Sequence, residues 1–156
     1  MQHPYYQTIL MIERLHRHFL EVVKAELDRH GIQDINNVQG LILYNIGSDE
    51  LTVGELTARG YYLGSNVSYN VKKMVENGYL VQERSMHDRR SVRLRLSDKG
   101  LKLRDKLSEM FERHMASLGS IDMSPETLRE VNDTLLRLER FWSTSVGFPS
   151  GVTSAA

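Results

Sequence analysis

The sequence predicts a mainly α-helical fold that contains one small β-hairpin. Apolar side chains recur at spacings of three and four residues over most of the chain, as on the buried face of a helix. Only residues 79–96 alternate in part between apolar and polar side chains, as short strands do, with a polar turn in the middle. Long helices therefore lie on both sides of a small mixed unit.

Length and composition favour a single domain with a sizeable core. The chain has 156 residues, 40% of them hydrophobic, and no cysteine. Without cysteine there is no disulfide, thiolate metal site or cysteine redox sensor. We expect a cytoplasmic protein with no membrane partner, because no apolar run approaches the roughly 18 residues that span a bilayer. The N-terminus also lacks a signal-peptide pattern.

The first two helices are predicted from their periodicity and their ends. Residues 5–30 form a long amphipathic helix that Gly31 ends. Asn36 caps a second helix, with Gln39 at the third position of a capping box. This helix is apolar on almost all faces, so we expect it to be central and buried.

Two shorter helices follow, joined by a short turn. Thr52 and Glu55 form a capping box for the first, which ends near Gly60. The second opens at Ser65 and closes at Asn77-Gly78, and its apolar residues form one stripe. Such a pair, with a polar and basic second helix, fits a helix-turn-helix.

The outer face of this second helix is the first candidate site. It carries Ser65, Asn66, Tyr69, Lys72 and Lys73, with Ser68 and Asn70 on its flanks. Asparagine suits adenine, and lysine suits guanine or phosphate, so the face could bind duplex DNA. Taken alone, it is equally well explained as an ordinary solvated helix side.

The predicted hairpin is the second candidate site. Its strands are residues 79–84 and 91–96, and it carries five arginines: Arg84, Arg89, Arg90, Arg93 and Arg95. Arginine at a hairpin tip can enter a narrow minor groove, where the negative potential is enhanced. Asp88 beside them either pairs with an arginine and fixes its direction or is simply a turn-favouring residue.

The charge distribution supports DNA as the partner. Residues 64–96 contain seven Lys and Arg and three Asp and Glu, a net charge of +4 in a chain that is neutral overall. A single basic patch on a neutral protein is typical of a directed electrostatic footprint.

The chain is predicted to end in two more helices and a tail. Ser97 caps a helix over residues 97–118, Ser124-Pro125 opens another over 125–146, and residues 147–156 are expected to be disordered. Together with residues 5–34, residues 97–146 supply more helix than the unit at 35–96 needs. We therefore expect them to form a dimerisation region within one domain spanning residues 1–156.

The hairpin and its surroundings resemble the winged helix of the MarR family of bacterial transcription regulators. The family pattern, Asp-x-Arg followed by Leu-Thr/Ser and a Gly three residues on, is matched by Asp88, Arg90, Leu96, Ser97 and Gly100. Before the second short helix, members often have Leu-Gly-Leu, where this chain has the residues GYYLG. Base specificity is therefore not carried over. The string RGYYLGSNVSYN resembles an alphaproteobacterial subgroup linked to control of L,D-transpeptidase genes.

The resemblance implies how the sites would work. The helix at 65–77 would enter the major groove, Arg90 would enter the minor groove, and Asp88 would support that arginine. Small aromatic molecules often bind between the dimer region and the winged lobes, which gives Phe19, Tyr44, Asn45, Met110 and Phe111 as candidate effector residues. Plain core packing is the alternative explanation for each of these five.

These observations lead to one favoured hypothesis and one alternative. The favoured hypothesis is a homodimeric regulator, most simply a repressor modulated by a small aromatic ligand, that binds a near-palindromic operator. The alternative is a protein-interaction module of the same fold that binds an acidic partner through the basic hairpin. No catalytic, metal-binding or cofactor-binding motif is recognisable in the sequence, so we expect neither an enzyme nor a cofactor.

Overall fold

The computed structural model describes residues 1–60, 62, 64–84, 86 and 91–146. Their order is α1 (Pro4–Arg29), α2 (Asn37–Ile46), β1 (Leu51–Thr52), α3 (Val53–Gly60), α4 (Gly64–Glu76), β2 (Leu80–Arg84), β3 (Val92–Leu96), α5 (Asp98–Ser117), a short 3-10 turn (Leu118–Ile121) and α6 (Pro125–Ser145). The predicted class, mainly helical with a small antiparallel sheet, is confirmed. The chain divides into two compact units, Met1–Met110 and Phe111–Ala156.

Both predicted capping boxes are formed. Asn36 Oδ1 accepts from the Gln39 N–H at 2.8 Å, and Gln39 Oε1 accepts from the Asn36 N–H at 3.1 Å. Thr52 Oγ1 accepts from the Glu55 N–H at 3.1 Å, and Glu55 Oε2 accepts from the Thr52 N–H at 3.2 Å. These bonds satisfy amide groups that have no acceptor within the first turn of a helix, so the sequence itself sets where α2 and α3 begin.

The sheet has three strands rather than the two that the sequence predicted. The order is β1-β3-β2, and β1 pairs with β3 through Leu51 opposite Leu94 and Thr52 opposite Arg93. The additional strand β1 was not predicted, because it is only two residues long and too short to show an alternating pattern. The predicted hairpin itself is formed, with Leu80 opposite Leu96 and Arg84 opposite Val92.

Helix α2 lies at the centre of the first unit, as expected. It packs against α1, α3, α4 and β3. Its residues Ile42, Leu43 and Ile46 are at most 1% exposed. Helix α2 and the elements that pack against it, α4 among them, therefore share one hydrophobic core. Other fully buried members of this core are Leu51, Leu56, Val67, Met74, Leu94 and Leu107.

The second unit is dominated by α6, which Ser124 caps by accepting from the Thr127 N–H at 3.1 Å. No residue of α6 is buried. Large apolar side chains on it, including Leu135 and Phe141, are 40–60% exposed. Across the ranges that the structure describes, no helix combines the length and apolar character needed to cross a membrane.

Candidate nucleic-acid interface

Helix α4 presents two chemically different faces. Its apolar residues Val67, Val71 and Met74 are at most 2% exposed and pack into the core. The outer face, by which we mean the opposite side of α4, carries the exposed side chains of Ser65, Asn66, Ser68, Tyr69 and Lys72. Burial of one face fixes α4 to the unit and leaves the other open to a partner.

Tyr69 and Lys73 form a small surface group on α4. Tyr69 is 61% exposed, and Lys73 Nζ lies 5.9 Å from the centroid of its ring. Lys73 Nζ also lies 3.6 Å from Glu76 Oε2. Lys73 therefore contacts both the Tyr69 ring and the Glu76 carboxylate. Among the described residues, the exposed Lys72 forms no ion pair with an acidic side chain.

Asn70 is placed differently from the other candidate residues of α4. It is half-buried, and its side-chain carbonyl accepts from Gln39 Nε2 at 3.2 Å. Its amide donates to the Asn66 backbone carbonyl at 2.9 Å. The side chain of Asn70 therefore connects α4 to α2, unlike the exposed side chains of the outer face. This contact was not predicted, because Gln39 and Asn70 lie far apart along the chain.

The hairpin positions its basic residues on two faces. Arg93 and Arg95 alternate with the buried Leu94 and Leu96, so they point away from the core. Arg95 forms an ion pair with Glu83 on the neighbouring strand, with 3.0 Å between Arg95 Nη2 and Glu83 Oε1. Arg84, at the end of β2, is exposed.

The tip of the hairpin is only partly described. Asp88, Arg89 and Arg90 lie outside the described residues, so the wing assignments made from the sequence stay predictions. Met86, in the same turn, is 97% exposed.

A cluster that the sequence did not predict fixes the far end of α4. Tyr79 Oη donates to Asp34 Oδ1, and Lys99 Nζ donates to Asp34 Oδ2 at 2.6 Å. Lys99 Nζ also donates to the Asn77 carbonyl at 2.9 Å and lies 4.3 Å from the Tyr79 ring centroid. Asn77 Nδ2 in turn donates to the Asp34 carbonyl at 2.9 Å. The cluster ties the α1–α2 connection to the end of α4 and the start of α5.

Two pKa values report the electrostatics of this cluster. Burial opposes ionisation of Asp34, but hydrogen bonds from Lys99 and Tyr79 and the charge of Lys99 outweigh it, so the pKa of this carboxyl lies below its usual value. Burial, together with the hydrogen bond to Asp34, raises the pKa of Tyr79 far above the usual value. Asp34 is therefore the charged acceptor and Tyr79 the neutral donor at physiological pH.

The candidate effector residues occupy different environments. Phe19 lines an open groove of about 470 Å³ whose walls come from α1 alone, namely Leu15, His18, Phe19, Glu21, Val22 and Ala25. Met110 is 1% exposed and belongs to the core. Asn45 Nδ2 donates to Tyr62 Oη, and Phe111 lies edge-on to His114 at 6.5 Å between ring centroids. Tyr44 is half-buried on α2.

Comparison with known proteins identifies the family. The model of the MarR family matches residues 30–91. The exopolysaccharide II synthesis transcriptional activator ExpG of Rhizobium meliloti (strain 1021) is 36% identical over 144 residues, which cover 92% of this chain and 74% of ExpG. This chain belongs to the MarR family. The range that the family model matches begins just after α1 and ends just before β3, so it contains α4 and strand β2.

Solved structures share the MarR fold of this chain. Streptococcus pneumoniae FabT, in complex with DNA, has a TM-score of 0.68 and 22% identity over 90% of this chain and 98% of FabT. Staphylococcus aureus MarR, in complex with salicylate and kanamycin, has a TM-score of 0.69 and 19% identity over 90% of this chain and 93% of that MarR. At these identities the likeness establishes the fold alone.

Proposed function

We propose that this MarR-family regulator binds double-stranded DNA in a sequence-specific manner as a homodimer. The observation that carries the proposal is the exposed outer face of α4, polar and basic, beside a hairpin rich in arginine. A helix with one buried face and one polar face can lie in the major groove while the core holds its orientation.

The proposal divides the candidate residues by role. Ser65, Asn66 and Tyr69 would contact base edges, with Ser68 beside them, because they lie on the exposed N-terminal half of α4. Lys72, Lys73 and Arg84 would contact phosphates, which fix the register of the protein on the duplex. Arg89 and Arg90 would lie at the minor groove, with Asp88 directing Arg90.

Dimerisation is supported by apolar side chains left exposed on α1 and α6. Tyr6, Leu10 and Leu15 on α1 are 40–57% exposed, and Leu135, Leu136 and Phe141 on α6 are 40–60% exposed. Exposed apolar residues in such numbers on a helix are typical of a face that a second copy covers. A two-fold dimer would place two copies of α4 about one turn of DNA apart and would select a near-palindromic operator.

A small aromatic ligand is proposed as the effector. Support comes from the solved S. aureus MarR with salicylate and from the aromatic and methionine side chains among Phe19, Tyr44, Asn45, Met110 and Phe111. Salicylate is therefore a reasonable first probe. Isothermal titration calorimetry measures its binding without a reporter residue near the site.

The sign of regulation and the target genes have two supported versions. Repression is the simpler outcome for a ligand-released regulator, whereas the relative ExpG is named an activator. The resemblance of residues 59–70 to the L,D-transpeptidase subgroup favours cell-wall genes as the targets. The name of the relative ExpG favours genes of exopolysaccharide synthesis. Transcript levels of both gene classes in a deletion strain distinguish the versions, because loss of a repressor raises its target and loss of an activator lowers it.

The DNA contacts can be tested with Lys72→Ala. Removing one phosphate contact from each protomer of the dimer should weaken binding to operator and scrambled DNA about equally, and should reduce the slope of log affinity against log salt by about 1.8. Lys102→Ala is the matched control, because Lys102 is an exposed lysine on α5 outside the proposed interface. An unchanged slope for Lys72→Ala would show that Lys72 contacts no phosphate.

An acidic protein partner remains the competing function, supported by the basic hairpin alone. It would require salt-sensitive binding to an acidic polypeptide that exceeds binding to any duplex. Since the outer face of α4 is not needed for that role, variants of α4 would leave such binding unchanged.

A further inference from the structure

We propose that Gln39, a buried residue of α2, sets the orientation of α4 on DNA through Asn70. In this role Asn70 is a positioning residue rather than a reader of bases. The inference rests on the DNA-binding function proposed above and concerns how that function obtains its specificity.

Gln39 uses both ends of its side-chain amide. Its Oε1 accepts from the Asn36 N–H at 3.1 Å, and its Nε2 donates to Asn70 Oδ1 at 3.2 Å. Gln39 is 7% exposed, so water cannot readily replace either bond. A buried amide that loses a hydrogen-bond partner keeps the full cost of its desolvation, and Gln39 therefore holds α4 against the first turn of α2.

Asn70 extends this connection along α4. Its Nδ2 donates to the Asn66 carbonyl at 2.9 Å, one helical turn closer to the N-terminus. That turn carries the exposed side chains of Ser65, Asn66 and Tyr69. A chain of three hydrogen bonds thus runs from the cap of α2 to the backbone under the proposed base-reading side chains.

The physical reason for such a connection is that hydrophobic packing is not directional. Val67, Val71 and Met74 bury one face of α4, but contacts of this kind permit small rotations of the helix. Hydrogen bonds between amides depend on angle and distance, so a buried pair between α2 and α4 selects one rotation. A residue that lies beneath α4 can therefore control base discrimination.

The same geometry argues against direct base reading by Asn70. Bidentate pairing with adenine uses the carbonyl oxygen and the amide of one asparagine together. In Asn70 the carbonyl oxygen already accepts from Gln39 and the amide already donates to Asn66, so a base would have to share both groups with these partners.

The test uses Gln39→Glu, Asn70→Leu and the double variant, with Asn36→Ala as the control. Glutamate still accepts from the Asn36 N–H, as in common capping boxes, but cannot donate to Asn70. Asn36→Ala removes the cap side chain of α2 and leaves the Gln39–Asn70 bond in place. The quantity measured is the ratio of the Kd for scrambled DNA to the Kd for the operator, at one salt concentration.

We expect each of the two single variants to lower this ratio by about tenfold, because the proposed dimer loses the Gln39–Asn70 bond in both protomers. The double variant should lose no more than either single variant, because both changes break the same connection. Asn36→Ala should lose thermal stability but keep the ratio. The slope of affinity against salt should stay as in the wild-type protein for Asn70→Leu, since no phosphate contact is removed.

Three results would overturn the proposal. The first is an unchanged ratio of the two Kd values in Gln39→Glu, and the second is a decrease of this ratio in Asn36→Ala as large as that in Gln39→Glu. The third is a decrease in the double variant equal to the two single effects combined, which would indicate that Asn70 reads bases directly. If the wild-type protein does not discriminate, the proposed function itself fails. In that case the positioning role of Gln39 is tested by amide hydrogen exchange in the absence of DNA. If Gln39 positions α4, the amides of α4 exchange faster in Gln39→Glu than in Asn36→Ala.

Discussion

At the scale of single residues, polar side chains of this MarR protein have two roles. Those on the outer face of α4, such as Asn66 and Lys72, are exposed and available to a partner. Those beneath or beside it, such as Gln39 and Asp34, connect elements that are distant in sequence. The second group positions the first, so we expect substitutions there to change function and stability together.

Asp34→Asn tests the cluster at the end of α4. The pKa of Asp34 is lowered on folding, so its ionised form stabilises the fold fully above about pH 4, and this stabilisation is lost as pH falls through the folded pKa. Because the side chain is 45% exposed, we expect the variant to lose only about 0.5–1 kcal/mol of unfolding free energy at neutral pH.

Denaturant titrations of both proteins between neutral and acidic pH measure this effect. The difference between the wild-type protein and Asp34→Asn should shrink to zero on acidification. Asp105→Asn serves as the control, because Asp105 has a 67% exposed side chain and a longer contact of 3.4 Å with Arg104. A difference that stays constant with pH would mean that the charge of Asp34 does not stabilise the fold.

At the scale of elements, the start of α5 packs unusually closely against the hairpin. A Cβ built on Gly100 would lie 2.3 Å from the Tyr79 carbonyl oxygen and 3.2 Å from Leu96 Cβ. Ser97 Oγ accepts from the Gly100 N–H at 3.1 Å and donates to the Gly78 carbonyl. The Ser-x-x-Gly part of the family pattern therefore has a structural reason: it joins α5 to the turn that ends α4.

Gly100→Ala should destabilise the protein by about 1–3 kcal/mol, because the obstructing atom belongs to the backbone and cannot move aside as a side chain could. Gly119→Ala is the matched control, since a Cβ on Gly119 would meet no atom within 4 Å. Thermal unfolding of the two variants provides the comparison. Equal midpoints for both variants would show that the contact at Gly100 relaxes without cost.

At the scale of the whole molecule, the apolar surface of α6 predicts self-association. We expect a solution mass of twice 18.0 kDa by sedimentation equilibrium. Leu135→Asp places a charge among the exposed apolar side chains of α6 and should shift the mass towards the monomer. Thr144→Asp introduces the same residue at an exposed position about 180° around the helix from Leu135 and should leave the dimer intact. A monomeric wild-type protein would contradict the proposed operator symmetry.

The features predicted correctly from the sequence are those that depend on residues close together along the chain. The capping boxes of α2 and α3 were predicted because their partners lie three residues apart, within reach of any helix turn. The stripe of α4 and the two long strands followed from periodicity. Strand β1, the Gln39–Asn70 bond and the Asp34–Lys99 contact were not predicted, because each joins segments far apart in sequence and leaves no periodic signal.

The most direct test of the central claim is fluorescence anisotropy with the gene's own upstream intergenic DNA and a scrambled duplex, across a salt series. For a sequence-specific regulator, we expect the upstream DNA to bind at least about a thousandfold more tightly than the scramble at physiological salt. Both affinities should fall steeply as salt rises. Equal affinity for the two duplexes at every salt concentration would contradict sequence-specific recognition of this upstream DNA by α4 and the hairpin.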